Sequence, residues 1–421
     1  MVTSKFARSL WAASLSIPLA LASAPSSAVE IEYWQYFFKE RVDAIDALIE
    51  QFEAENPDIT VKHTHFPYAQ YRTKVAAAIP AGEGPDVVQL YYGWLKDYLK
   101  ADLLVPLPED AFPAAETESE YFPIVAAMKL DGQYWGMPTA VRSLALFYNK
   151  TLFEEAGLDP NSPPKTHDEM IEIAKKITKR DDGGNLLTAG MTAAPTSQDH
   201  HWWREVLIRQ FGGQPYSDDN CQVAYNDDAG REALQAYVDL FDAHAVTDYG
   251  FMDESQAAFG AGRAGLHIDG SFRLGTYMGV EGLDWAVAPL PSHNGVTSNF
   301  ASYWVNGISK KAEGEKLEAA VKFLEFITTK EAMQLWVETV GELPARRDAA
   351  LTDENRAHPL YGPFIEGLEN AQTTDFYNES AQRQVFLDMI DRIQIGGISV
   401  ADSLAAAAEE EQKILDEFCQ S

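Results

Sequence analysis

Cysteine is scarce in this sequence, which holds Cys221 and Cys419 and no other thiol in 421 residues. Neither lies in the C-x-x-C spacing of thiol oxidoreductases or in the paired spacing of zinc ligands, so thiol redox chemistry and a cysteine metal site are not expected. An oxidising compartment would permit a disulfide between them. Sequence alone leaves open whether the two residues meet in space.

Basic residues are also in the minority, with 33 Lys and Arg against 64 Asp and Glu and a formal net charge of −31. A surface this acidic repels nucleic acid and anionic lipid, so neither is expected as a partner. The charge is typical of a well-solvated surface. A second interpretation is the attraction of a cationic solute such as a polyamine.

Long apolar runs are missing beyond the first 28 residues. There, Lys5 and Arg8 precede the apolar stretch SLWAASLSIPLALA, which is too short to span a bilayer, and small residues follow at 26–28. We predict a cleavable signal peptide at residues 1–28 and a soluble protein exported to the periplasm. No cysteine follows the apolar stretch, so a lipid anchor is not expected.

The sequence signatures of common catalytic sites are absent as well. The chain has no G-x-S-x-G elbow, no H-E-x-x-H motif and no phosphate-binding loop. We therefore nominate no catalytic residue, and we expect no cofactor and no metal ion. A carbohydrate-active enzyme remains an alternative, because an acid/base pair can be formed by carboxylates that are distant in sequence.

What the sequence does contain is an alternation of strand and helix patterns. Residues 31–37 are β-rich, residues 42–52 repeat apolar side chains at helical spacing, and residues 86–92 form another apolar strand. This order is typical of an α/β fold with mostly parallel sheets. The roughly 390 residues that follow the leader are too many for one ordinary core, which indicates two domains.

Several helix starts carry capping signals. Thr166 and Glu169 form a capping box before a helix, and Asp228 and Thr328 are the expected caps of two later helices.

Aromatic residues cluster where the predicted strands end rather than inside the helices. The clusters lie at 34–38, 91–94, 200–203, 269–272 and 302–304. Ligands of open α/β sheets bind at the carboxyl ends of the strands. The pattern therefore predicts a cleft that is lined with flat apolar faces beside hydrogen-bonding groups.

An ordered set of phrases covers almost all of the chain after the leader and resembles the family 1 extracellular solute-binding proteins, the periplasmic sugar receptors of ABC importers. The most recognisable stretch is DGQYWGMPTAVRSLALFYNKTLFEEAGLDPNSPPKTHDEM, at residues 131–170. Before it stands GEGPDVVQLYYGWLKDYLKADLLVPL, and after it come AFGAGRAGLHIDGSF, APLP, AAVKFLEFITTKEAMQLW and GELPARRD. One departure is GLHI, where an Ala-Met pair is commoner.

The resemblance implies a two-lobed periplasmic binding protein of type II, with the ligand held in a cleft between two α/β lobes. The first lobe is expected at 29–140 plus 287–328 and the second at 141–286 plus 329–421. The chain would cross between them near 138–142, 285–289 and 326–332. The expected partners are a sugar-like ligand and the permease subunits of an ABC transporter, and the protein itself is expected to be a monomer.

The chemistry of a sugar selects the candidate site residues. A pyranose has apolar C–H faces that aromatic planes can bury and hydroxyls that need polar partners when they leave water. The candidate stacking residues are Trp34, Tyr36, Tyr91, Trp94, Trp203, Tyr303 and Trp304. The candidate polar residues are Arg142, His201, Asp269, Ser271 and Arg346.

Each candidate also has a structural interpretation. The aromatic residues could belong to the core, Asp269 could cap a turn, and His201 could be a surface histidine. Arg142 stands inside the apolar run MPTAVRSLALFY, which we interpret as a strand that crosses the hinge. Its side chain would reach the cleft, or else form a structural ion pair. Arg346 and its neighbour Arg347 also suit an anionic sugar derivative.

A metal receptor is the remaining alternative. Tyr91-Tyr92 with His200-His201, or the pair His63 and His65, could supply oxygen and nitrogen ligands. The tryptophans of the same clusters favour a carbohydrate.

Overall fold

The computed structural model describes Met1 and residues 28–419 apart from residue 253. Nearly all of the predicted signal peptide lies outside the described residues.

The described residues form the following strands: β1 Val29–Tyr36, β2 Ile59–Phe66, β3 Val87–Tyr91, β4 Leu104–Val105, β5 Lys129–Leu130, β6 Gln133–Tyr134, β7 Met137–Asn149, β8 Lys179–Arg180, β9 Leu186–Met191, β10 Ala264–Gly270, β11 Trp285–Ala288, β12 Asn299–Ser309, β13 Leu343–Pro344 and β14 Ala371–Gln372. The first α-helices are α1 Lys39–Glu55, α2 Tyr68–Ala78, α3 Leu95–Lys100, α4 Ala114–Glu120, α5 Lys150–Glu155, α6 His167–Ile177, α7 Ile208–Gln210, α8 Asp228–Val238 and α9 Ser255–Gly260. The later ones are α10 Arg273–Met278, α11 Glu315–Ile327, α12 Lys330–Val340, α13 Arg347–Ala350, α14 Asp353–Ala357, α15 Gly362–Glu369, α16 Glu379–Gln394 and α17 Val400–Cys419. Short 3-10 turns lie at Tyr92–Trp94 and Pro123–Met128, and π-helical turns at Pro195–Asp199 and Trp202–Leu207.

One large sheet runs through the molecule in the strand order β2-β1-β3-β12-β7-β10-β9-β8. Strand β1 is parallel to β2 and β3, and β10 is parallel to β9, whereas β12 and β7 run antiparallel to their neighbours. The α/β class expected from the sequence is therefore confirmed.

Strand β7 belongs to both halves of this sheet. Its first part, Met137 to Ser143, pairs with β12, and its second part, from Leu144 onwards, pairs with β10 and β11. Twelve of its 13 residues are buried, and Arg142 is the exception, being partly exposed. A strand enclosed on both faces needs a continuous apolar run, which accounts for the sequence around this arginine.

Two hydrophobic cores flank the two halves of the sheet. The first packs α1, α11 and α12 on β1 and β3, around buried Phe52, Phe323 and Trp336. The second gathers α6, α8, α16 and α17 beside β9 and β10, around Trp203 and Phe386. We refer to these two bodies as the first and second lobes. The lobe limits drawn from the sequence stay predictions; helix α12 lies against α1 in the first core.

The capping signals were partly right. The Thr166 hydroxyl accepts from the Glu169 amide as expected, and the Glu169 carboxylate accepts from the Lys165 amide. Thr328, however, donates its hydroxyl back to Leu324 O at 2.8 Å in the preceding helix, so Thr329 caps α12 instead. Likewise Asp227, one residue before the expected Asp228, accepts from Gly230 N and caps α8.

The two cysteines are joined in a disulfide, Cys221–Cys419, with their Cα atoms 5.9 Å apart. It ties the end of α17 to the loop before α8 across 198 residues of sequence. No helix within residues 28–252 and 254–419 is both long and apolar enough to cross a membrane.

Candidate ligand-binding cleft

A cluster of aromatic rings surrounds Trp304 where the strands of the first lobe end. The ring centroid of Trp304 lies 4.3 Å from that of Tyr36, 5.7 Å from Tyr91, 5.2 Å from Trp94 and 6.3 Å from Tyr68. Tyr36 and Tyr91 are the last residues of β1 and β3. We call these five residues the aromatic cluster. It brings together four of the predicted stacking residues, with Tyr68 added.

The orientation of Trp304 depends on an irregularity in strand β12. The pairing of β12 with β7 shifts register between Tyr303 and Val305, so Trp304 stands in a β-bulge, a feature that re-aims a side chain. Trp304 is half-buried, and its buried Nε1 has no hydrogen-bond partner among the described residues. About half of Tyr68 is exposed (52%), which places it at the rim of the cluster. A flat face beside a donor that lacks a partner is suited to a ligand with both C–H and hydroxyl groups.

A buried ion pair lies directly against the cluster. The Arg41 Nε donates to Glu342 Oε2 at 3.2 Å, its Nη2 pairs with Oε1, and its Nη1 donates to the Tyr36 hydroxyl. Trp336 Nε1 donates to the same carboxylate at 3.0 Å. Arg41 and Glu342 are 1% and 5% exposed. Each charge can be buried because the opposite charge of its partner neutralises it. Burial raises the pKa of Tyr36, and the charge of Arg41 opposes that rise.

Arg142 occupies the boundary between the lobes. Its Nε donates to Ser302 Oγ at 2.7 Å, and its Nη1 lies 3.9 Å from Glu342 Oε1. Its guanidinium stands 4.8 Å from the ring centre of Phe272, which follows β10 in the second lobe, and 6.0 Å from that of Tyr91. The structural ion pair considered from the sequence therefore exists, although it is a distant one, and the same side chain also faces the aromatic cluster.

The second lobe contributes the segment after β10. The Asp269 carboxylate accepts from Arg273 Nε at 2.9 Å, His267 Nε2 at 3.2 Å and the Gly270 amide at 2.7 Å. Burial alone would raise the pKa of Asp269, but Arg273 and these hydrogen bonds outweigh it and hold the pKa at about 2. Asp269 therefore does cap the turn through the Gly270 amide, and it also pairs with Arg273 and His267. Ser271 Oγ is buried and has no partner among the described residues.

His201 and Trp203 lie deeper in the second lobe. The His201 ring stacks on Phe300 at 3.8 Å, with an interplanar angle of 10°, and it is buried rather than on the surface. Burial and the nearby charges lower its pKa well below the usual value, so the ring is neutral. Trp203 is enclosed between Tyr225 and Phe386 in the second core.

The other predicted site residues lie outside the aromatic cluster. Trp34 packs on Phe66 at 4.9 Å, and Tyr303 donates its hydroxyl to the Ile124 carbonyl at 2.8 Å. Arg346 pairs with Glu120 at 2.8 Å.

Several residues at the cleft were not predicted. They are Arg41, Tyr68, Phe272, Arg273, Glu342, Glu379 and Arg383. For Arg41 a signal existed, since it stands four residues before Ile45 on the buried face of α1. A charged residue in an otherwise apolar stripe indicates a buried partner.

One concave region lies away from the aromatic cluster. It is a groove of about 740 Å³ between Phe122, Leu351, Leu368 and Gln372. Within residues 28–252 and 254–419, no three His, Cys, Asp or Glu side chains are grouped so that they could hold a metal ion.

Comparisons with known proteins show the family to which the chain belongs. Residues 47–363 match the model of the bacterial extracellular solute-binding protein family. Since the match covers more than half of the chain, the protein belongs to that family, whose members are extracellular binding proteins.

Three relatives illustrate the likeness. The maltotriose-binding protein of Pyrococcus abyssi is 24% identical over 352 residues, which cover 81% of this chain and 72% of that protein. The sn-glycerol-3-phosphate-binding periplasmic protein of Escherichia coli is 25% identical over 360 residues, covering 80% and 79%. The GacH receptor of Streptomyces glaucescens, solved unliganded and with acarbose, aligns with a TM-score of 0.79 at 22% identity over 93% of this chain and 99% of its own. The last comparison establishes the two-lobed fold. All three are binding proteins or receptors by name.

Proposed function

We propose that the chain is a periplasmic receptor that captures a sugar or sugar derivative between its two lobes and delivers it to an ABC importer. The observation that carries the proposal is the half-buried Trp304, ringed by four aromatic side chains and bordered by the Arg41–Glu342 pair. The named relatives, which bind maltotriose, sn-glycerol-3-phosphate and acarbose, support the same class of ligand.

The polar groups of the cleft match what a sugar needs once it leaves water. Trp304 Nε1 and Ser271 Oγ are buried without partners among the described residues, and each can hydrogen-bond a ligand hydroxyl. A C–H face of the sugar would lie on the indole, which removes apolar surface from water.

Closure of the lobes around the ligand is part of the proposal. In the structure the first lobe touches α16 and the segment before it through Trp94 Nε1 to Glu379 at 3.5 Å, Arg72 to Ser380 at 2.8 Å and Lys96 to Asp375 at 3.0 Å. A ligand that contacts both lobes favours the closed state by its differential affinity, and the importer's permease subunits would recognise that state.

The ligand leaves unchanged in this proposal. Two of the three carboxylates beside the cluster are engaged in ion pairs, Glu342 with Arg41 and Asp269 with Arg273. The third, Glu379, accepts from Trp94 Nε1 at 3.5 Å. A general acid or nucleophile needs a carboxylate that is free to react with the glycosidic bond. The proposal also includes export by the predicted leader and action as a monomer.

A thermal-shift screen of the purified chain against monosaccharides, oligosaccharides, polyols and anionic sugars tests the proposal. At least one saccharide should raise the melting temperature, because a ligand that binds only the folded state stabilises it. Trp304→Ala should abolish that shift, and the matched control Ile395→Ala, at an exposed turn, should keep it. Shifts confined to metal ions or polyamines would contradict the proposal.

A further inference from the structure

The charges around the aromatic cluster have the opposite balance to those of the whole protein. The chain carries a formal net charge of −31. Beside the cluster stand four guanidinium groups and three carboxylates, namely Arg41, Arg142, Arg273 and Arg383 against Asp269, Glu342 and Glu379. A further arginine near Trp94, Arg72, is matched by Asp97. The cleft is therefore locally positive within an acidic molecule.

Two of the four guanidinium groups lack a carboxylate at hydrogen-bonding distance. Arg41 is held by Glu342, and Arg273 by Asp269. By contrast, Arg142 bonds the neutral hydroxyl of Ser302 and remains 3.9 Å from Glu342. Arg383 donates to the backbone carbonyl of Thr196, and no ion pair with a described carboxylate accompanies that bond. Each of these two arginines therefore keeps N–H donors that can bind an anion.

These two arginines stand beside the aromatic cluster on different elements. Arg142 comes from the crossing strand β7, and its guanidinium lies 6.0 Å from the ring centre of Tyr91. Arg383 lies in α16 of the second lobe, one helical turn after Glu379, whose carboxylate accepts from Trp94 Nε1 at 3.5 Å. Burial raises the pKa of the Tyr68 phenol, and both guanidinium charges oppose that rise. Both groups therefore border the aromatic cluster.

We infer that the ligand is a sugar that carries an anionic group, a carboxylate or a phosphate ester, and that Arg142 and Arg383 bind this group while Trp304 stacks on the ring. The inference rests on the proposed function and narrows it to acidic sugars. Guanidinium groups bind carboxylates and phosphates through paired, charge-assisted hydrogen bonds. A positive cleft in an acidic protein also attracts an anion that the remaining surface repels.

Matched pairs of sugars that differ in charge test the inference. The probes are D-glucuronate against D-glucose, D-galacturonate against D-galactose, digalacturonate against maltose, and glucose 6-phosphate and sn-glycerol 3-phosphate against glucose and glycerol. Affinities are measured by calorimetry at low and high salt. At least one anionic member should bind about tenfold or more tightly than its neutral partner, as expected for one charge-assisted contact. The uronate and phosphate arms separate the two kinds of anion.

Variants assign the preference to the two arginines. Arg142→Met and Arg383→Met should each reduce the anionic preference, Arg142→Lys should retain part of it, and Arg231→Met, at an exposed pair with Asp228, should leave it unchanged. A far-ultraviolet spectrum and a melting curve establish that each variant is folded. If Arg142→Met does not fold, the Lys and Arg383 variants decide.

The possible outcomes separate this inference from the proposed function. Tighter binding of an anionic sugar, weakened by salt and by the arginine variants, supports the inference. Binding of neutral sugars at equal or higher affinity would overturn it and leave the proposed function intact. Binding of no sugar of either charge would overturn both.

Discussion

Two buried Arg–Glu pairs stand in different surroundings, and under the proposed function the contrast predicts which of them affects ligand binding. Arg204 and Glu411, in the second lobe, are both 0% exposed and 3.2 Å apart. The Glu411 carboxylate also accepts from Tyr216, Tyr225 and Gln382, so the protein itself supplies its partners. The Arg41–Glu342 pair is equally buried, but it borders the half-buried Trp304 and a second arginine, Arg142.

The Glu411 carboxylate is fully enclosed and has its donors within the second lobe, although Arg204 Nε and Nη1 are buried without partners among the described residues. The pair fixes α17 to the rest of the second lobe. Near Glu342, the buried Trp304 Nε1 has no partner among the described residues, and a ligand could bind it and stack on the aromatic faces. We therefore expect the first pair to control stability and the second to affect ligand binding as well.

The largest effect should follow from removing the fully enclosed carboxylate of Glu411. Glu411→Ala leaves Arg204 charged and buried, and breaking such a pair costs about 3–5 kcal/mol. Chemical denaturation should show that loss, while Glu410→Ala, next to it on the surface with Arg392, should cost less than about 1 kcal/mol. A loss at Glu411 no larger than at Glu410 would contradict the structural role.

The disulfide secures the same helix and should rank second. Replacing both partners, Cys221→Ser with Cys419→Ser, should lower the free energy of unfolding by about 2–4 kcal/mol, because the cross-link restricts the unfolded chain. Sugar affinity should change little in the folded variant, since the bridge lies outside the aromatic cluster. Equal stability of the oxidised chain and the double variant would show that the bridge contributes nothing.

Opening the Arg41–Glu342 pair should cost less stability than opening the fully enclosed Arg204–Glu411 pair. Arg41→Met leaves Glu342 with Trp336 and with Arg142, which lies 3.9 Å away and can move closer. We expect a loss of about 1–3 kcal/mol, together with weaker sugar binding as Arg142 is drawn aside. Arg204→Met, measured in parallel, should be the more destabilising of the two. The reverse order would contradict the comparison.

A separate comparison concerns pH and a buried carboxyl group of the second lobe, Asp199. Burial raises the pKa of Asp199 to about 8, against hydrogen bonds from Tyr237 and the Ala194 amide. The folded chain then holds a proton that the unfolded chain loses near pH 4, so this group lowers stability as pH rises from about 4 to about 8. Asp199→Asn should flatten the melting temperature over that range and raise it at pH 8.

Asp269 provides the internal control for that experiment. Its pKa is held at about 2, so its contribution is present above pH 4 and is lost only as the pH falls from about 4 to about 2. Asp269→Asn should therefore lower the melting temperature at pH 7 and reduce its further fall between about pH 4 and about pH 2. Parallel pH profiles for the two variants would contradict the assigned shifts.

Local features of the fold were readable from the sequence where neighbouring residues determine them. The capping box at Thr166 and the apolar run of β7 depend on residues that are adjacent in the chain, and both are present. The cap expected at Thr328 shifted by one residue, because its hydroxyl bonds the preceding helix. Aromatic residues at strand ends pointed correctly to Tyr36, Tyr91, Trp94 and Trp304 as neighbours.

The polar residues of the candidate site could not be predicted from neighbouring residues in this way. Arg41 and Glu342 are 301 residues apart in the chain, and the sequence offers 64 acidic side chains as partners for any arginine. The cysteine pairing depended equally on tertiary contacts across 198 residues. Arg346, next to a plausible segment, pairs instead with Glu120 from α4. Long-range electrostatic pairing thus decided which charges border the cleft.

The most direct test is the affinity of Trp304→Ala for whichever sugar the screen selects, measured by calorimetry beside Arg204→Lys. Trp304→Ala should remain folded but bind at least about tenfold more weakly, because stacking on the indole is lost. The Arg204→Lys protein should bind normally and melt earlier. Unchanged affinity in a folded Trp304→Ala protein would show that the solute is held elsewhere.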